Sequence, residues 1–216
     1  MRPLLQRLML AATLAMLAAA AMLGTLGEQN FLKQAPTLVV REEGAAQVFY
    51  WRGEVAPGMA QRFAEAFDAA RGQTRRIVID LDSPGGMLVE GGRVVDIVRR
   101  ATDEFEIETR VARGAKCLSM CVPIYLQGER RVAAPSALFM FHEPTTRDVL
   151  TDERVAIPEA EQRYVSERFF RRYFENSEMD PVWREKLRQQ WIGRDVFKTA
   201  RELVHEGANI VLELDS

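Results

Sequence analysis

The chain has two histidines and two cysteines in 216 residues, and neither pair is spaced as a metal site. It has no CxxC pair and no HExxH run, so the ligand spacings of common zinc sites are missing. An excess of charge of one sign is also missing: 29 Lys and Arg stand against 31 Asp and Glu, a net charge of −2. Without a basic cluster interleaved with aromatics, the electrostatic footprint of a nucleic-acid binder is absent. There is no internal repeat, and nothing in the sequence asks for a cofactor. What remains is globular composition, 47% hydrophobic and 28% charged, in a length that suits one domain plus a leader.

The leader is a departure from that composition. Arg2 and Arg7 precede an uncharged run, Leu8 to Leu26, that is apolar on every face, and the next charge is Glu28. A basic front end before such a run reads as a signal anchor or a signal peptide over 1–27, with the small residues Ala18 to Ala21 available for cleavage. Both forms place the rest of the chain on the periplasmic, extracytoplasmic side, membrane-anchored or released after cleavage. A polar linker is expected over 28–44 and the folded domain over 45–216.

Within the domain, strand-like and helix-like runs alternate. Strands are predicted at Gln47–Trp51, Arg76–Leu81, Ile107–Ala112, around Val132, at Leu138–Phe141 and at Ile210–Leu212. Helices are predicted at Pro57–Ala70, Gly92–Ala101, Ser119–Gln127, Glu159–Phe174, Pro181–Trp191 and Thr199–Glu206, and Thr145–Ile157 reads as a polar loop. The alternation argues for an α/β fold with a largely parallel sheet.

Four features carry chemistry. The turn Ser83-Pro84-Gly85-Gly86 follows a buried strand, and a glycine there can present a bare backbone N–H to an oxyanion. Ser119, in CLSMC, stands at the predicted start of a helix, where its hydroxyl is exposed and the N–H of Met120 faces the same oxyanion. His142 ends an apolar strand; the other histidine, His205, lies near a helix C-terminus, so His142 is the general-base candidate. An acid must orient the imidazole, and spacing alone leaves Asp148, Asp152, Asp180 and Asp195 in contention.

The order SPGG, Ser-Met about 33 residues on, a strand ending in His-x-Pro, and Arg-Asp-x-Phe before a helix and glycine resembles the ClpP family, the proteolytic subunit of Clp protease. The resemblance runs from Val48 to about Val211, and FKTARELVHEGANIV looks like that family's last helix and strand. It implies a ClpP/crotonase-like spiral of ββα units behind an N-terminal hydrophobic helix. It also implies a serine peptidase with Ser119 as nucleophile, His142 as base, Asp195 as acid, and the N–H groups of Gly86 and Met120 as oxyanion donors. The partners it implies are a peptide or protein substrate and further copies of the chain. Aromatic residues of the long helix, Tyr164, Phe169, Phe170, Tyr173 and Phe174, are candidates for the self-association surface.

Two departures qualify the resemblance. The membrane segment replaces the part that meets an ATPase ring, so no ATPase partner is expected. Cys117 and Cys121 flank Ser119 where the family has small residues; at this spacing they are either a disulfide or two small buried side chains. Other readings are a membrane-tethered non-catalytic scaffold or binding module, and a Ser–Lys signal-peptide-peptidase-like protease using Lys116. A crotonase-type acyl-CoA enzyme shares the fold but would leave the Ser/His/Asp set to coincidence.

Overall fold

The computed structural model describes residues 36–146 and 155–215. The hydrophobic run and the leader assigned to it lie outside these residues; among the described residues no helix is long and apolar enough to cross a membrane.

The described chain opens with a hairpin, β1 (Thr37–Glu43) and β2 (Ala46–Arg52), turned at Gly44 with φ +62°. Helices and strands then alternate: α1 (Met59–Ala70), β3 (Arg76–Asp82), α2 (Leu88–Ala101) and β4 (Glu106–Val111). Next come β5 (Lys116–Leu118), α3 (Cys121–Tyr125), β6 (Arg130–Ala133) and β7 (Leu138–Phe141). Helix α4 (Glu159–Phe170) runs on into a π-helical turn, Arg171–Glu175. The described chain closes with α5 (Pro181–Gln190), β8 (Val196–Thr199), α6 (Ala200–His205) and β9 (Glu213–Leu214).

The described strands form two sheets. The larger has the order β1-β2-β3-β4-β6-β9 and is parallel except for the β1–β2 hairpin. The smaller is β5-β7-β8, with β5 parallel and β8 antiparallel to β7. Alternation decides the faces. Phe49, Trp51, Ile77, Ile79, Leu81 and Val111 are buried on the side covered by α1 and α2. Helix α1 answers with Met59, Phe63, Phe67 and Ala70 at helical spacing, and α2 with Val94, Val95 and Val98. Each fully buried Phe contributes roughly 2–3 kcal/mol. On the other face Asp80 is buried but paired with Arg52 and Arg110, at 2.5 and 2.6 Å, so its charge is not stranded.

Several expectations are corrected. The segment read as polar linker up to residue 44 contributes β1; this strand is an exposed sheet edge, so its side chains show no core pattern. Lys116–Leu118, to which the sequence assigns no strand, form β5; the Asp195 region, between the helices predicted at Pro181–Trp191 and Thr199–Glu206, leads into β8. The helix expected at Ser119 starts two residues later and is only five residues long. The last strand moves from 210–212 to Glu213–Leu214, and Ile210 and Val211 are core instead. The aromatic stripe of the long helix does not mark a docking surface: Phe169, Phe170, Tyr173 and Phe174 are buried, packed on Trp191 and Phe141, and only Tyr164 stays exposed.

Candidate active site

The site forms where the smaller sheet meets the turn after β3. Ser83 is fully buried in that turn; its N–H donates to Lys116 O at 2.8 Å and its carbonyl accepts from Leu118 N–H at 3.0 Å. These bonds carry β5 past the C-terminal end of β3. Gly86 lies opposite Val55 in a parallel bridge made by its neighbours: Val55 N–H donates to Gly85 O and Met87 N–H to Val55 O, each at 2.8 Å. A parallel bridge of this kind uses the flanking residues, so the N–H of Gly86 itself faces the other way. Glycine is required here: φ is +145°, and a Cβ would lie 2.4 Å from Val55 O. At Gly85 a Cβ would lie 2.7 Å from that of Ser119, so the SPGG turn is packed directly against the nucleophile candidate.

Ser119 follows β5 with φ +52°, left-handed backbone for a residue with a side chain. Such a conformation costs about 1–3 kcal/mol and persists only where its surroundings enforce it. Here its N–H is tied to Met140 O at 2.8 Å and its carbonyl accepts the N–H of Val122 at 3.0 Å. Met120 is the N-cap of α3, and its side chain is fully buried against Gly91 of α2. Among the described residues neither Gly86 N–H nor Met120 N–H donates to a protein acceptor. The disulfide Cys117–Cys121, with Cα atoms 5.2 Å apart and both residues fully buried, brackets Ser119 from either side.

His142 comes from the end of β7, paired in parallel with β5. Its Nε2 lies 2.6 Å from Ser119 Oγ, a hydrogen bond between base and nucleophile candidates. Asp195 comes from the antiparallel side. The β7–β8 register pairs Met140 with Phe197 and Phe141 with Val196, so the next position sets Asp195 across from His142. Its Oδ1 is 3.8 Å from Nδ1, an electrostatic contact outside hydrogen-bond range, and its side chain is 52% exposed.

The other acids are accounted for differently. Asp180 caps α5, accepting from Val182 and Trp183 N–H; Asp148 and Asp152 lie outside the described residues. Glu143, the residue after His142, accepts the N–H of Gly193 at 2.8 Å. Lys116 is exposed, and its backbone is tied to the turn, its carbonyl accepting from Ser83 N–H and its N–H donating to Asp82 Oδ1. A cavity of about 550 Å³ opens beside His142, with Pro144, Ile157, Gln162, Trp191 and Asp195 in its wall.

Sequence reasoning did not weigh Val55 or Gly91. The one legible signal was Gly91-Gly92 inside an otherwise regular helical run, which marks close approach rather than a break.

Comparison with known proteins bears on the family and the fold. The family model described as Clp protease matches residues 46–211. Among solved structures, a point mutant of ClpP1 from Listeria monocytogenes is similar with a TM-score of 0.61 at 19% identity, over 78% of this chain and 91% of that one. At that identity the likeness speaks for the fold. No curated protein matches.

Proposed function

The chain belongs to the Clp protease family, and on that footing we propose that it is a serine peptidase-like acyl hydrolase working through Ser119, His142 and Asp195. The observation that carries the reading is the 2.6 Å contact between His142 Nε2 and Ser119 Oγ, on a serine held in left-handed backbone. Ser119 Oγ attacks the substrate carbonyl and His142 takes its proton. The N–H groups of Gly86 and Met120 receive the oxyanion. His142 then returns the proton to the leaving amine, and water, deprotonated by the same imidazole, releases the acyl group. Asp195 favours the imidazolium electrostatically, which its 3.8 Å approach supports. Peptides or proteins are the substrates this chemistry serves.

The same reading puts the domain outside the cytoplasm, working without a dedicated ATPase and as a homo-oligomer. Arg2 and Arg7 before the run Leu8–Leu26 support the location. A disulfide beside the nucleophile supports an oxidising compartment, where an ATP-driven partner has no fuel. The test is covalent labelling by a fluorophosphonate probe. The wild-type chain is expected to be labelled on Ser119 and Ser119→Ala to be blank; equal labelling of the two, or none of the wild type, removes the proposal.

A further inference from the structure

We propose that Glu143 is a positioning residue for the acid of this site: it braces the turn that carries Asp195 against the strand that carries His142. The inference rests on the triad reading above and adds a residue to it.

The turn in question joins α5 to β8. At its start Trp191 is buried among Phe169, Phe170 and Phe174; at its end the β7–β8 ladder begins with Val196 opposite Phe141. Between these anchors the chain is exposed, with one local bond, Arg194 N–H to Trp191 O at 3.2 Å, which closes the turn on itself without tying it to the strand of His142. Ile192 is 64% exposed, Gly193 has φ +67° with open space where a Cβ would stand, and Asp195 is half exposed. Among the described residues, no apolar packing therefore sets where the Asp195 carboxylate stands. The β7–β8 register runs to the pair Phe141 and Val196, one position short of His142 and Asp195. The hydrogen bond from Gly193 N–H to Glu143 Oε2, 2.8 Å, joins the two segments at this point. It ties the residue after the base to a residue two before the acid. An ionised acceptor makes this bond shorter and stronger than a neutral one. Losing it frees the turn, and the carboxylate that favours the imidazolium moves away.

The experiment uses the full chain and the fluorophosphonate probe, reading the maximal inactivation rate and the probe affinity separately. For Glu143→Ala the rate is expected to fall about tenfold, the worth of one charge-assisted hydrogen bond, with affinity unchanged. Glu143→Gln keeps an acceptor for Gly193 N–H and is expected to stay within about threefold of wild type. The acid limb of the pH–rate profile should move to lower pH in Glu143→Ala, as in Asp195→Asn, because an imidazolium that loses its carboxylate gives up its proton more readily. In the double variant the losses should not multiply: Glu143→Ala/Asp195→Asn labels at the rate of Asp195→Asn alone. Losses that multiply, or a Glu143→Ala rate equal to wild type while Asp195→Asn is slow, overturn the role of Glu143 and leave the triad standing. A wild-type rate for Asp195→Asn overturns the acid assignment and the positioning role together.

Discussion

Replacing Gly91 with alanine tests the link between the α2 packing and the proposed oxyanion site. In a helix interior this change ordinarily stabilises by about 0.5–1 kcal/mol, because glycine loses more backbone entropy on folding. Here the sign should reverse. A Cβ at Gly91 would lie 2.3 Å from Met120 Cγ, 2.9 Å from its Cε and 3.1 Å from its Sδ. Met120 is fully buried, so its side chain has no solvent to swing into. Forcing a methyl into a filled core costs about 1–3 kcal/mol, which leaves Gly91→Ala up to about 2.5 kcal/mol less stable than wild type. The backbone of Met120 is held on both sides, by the Ser119 N–H bond to Met140 and by the disulfide at Cys121. The displaced side chain therefore pushes on the Met120 N–H. Complete loss of one oxyanion donor is worth about 10²–10³ in rate, so a displaced donor should cost at least about tenfold. Urea denaturation measures the first effect and fluorophosphonate labelling the second. Met120→Ala opens a cavity that the methyl of Gly91→Ala partly refills, so the double variant should be more stable than the two losses added, by about 1 kcal/mol or more. A Gly91→Ala protein that is more stable than wild type and labels at the same rate would refute the reasoning.

Other outcomes follow from single features. Tyr125 is fully buried, burial pushes its phenol far above the ordinary range, and its hydroxyl has no hydrogen-bond partner among the described residues; Tyr125→Phe should raise the urea midpoint, by about 1 kcal/mol of stability. Removing the bridge as Cys117→Ala/Cys121→Ala should lower stability by about 2 kcal/mol, as expected for closing so short a loop, and slow the labelling of Ser119; unchanged midpoint and rate would mean that the turn is held without it. A periplasm-dependent reporter fused after Ser216 should be active and a cytoplasm-dependent one silent; the reverse would overturn the topology read from Arg2 and Arg7.

The sequence by itself determined the pieces whose signal is local. RIVIDL reads as a buried strand because β-branched and apolar residues crowd one short run, and Ile77, Ile79 and Leu81 are indeed buried without exposure. SPGG reads as a turn from its composition, and the strand ending in His142 from FMF. Their order along the chain was enough to recognise the family. The proposed acid was different. Four aspartates were compatible with spacing, and Asp195 meets His142 because β8 pairs with β7 in one register. Strands β5 and β8 have three and four residues, and apart from the buried Cys117 they carry exposed or half-exposed side chains, too few to show a period. They are strands because ladders to distant segments stabilise them, and no local pattern encodes such a partner. The contact of Gly91 with Met120 and the bond of Glu143 to Gly193 are of the same kind. They join residues 29 and 50 positions apart, and only folding brings those backbones together.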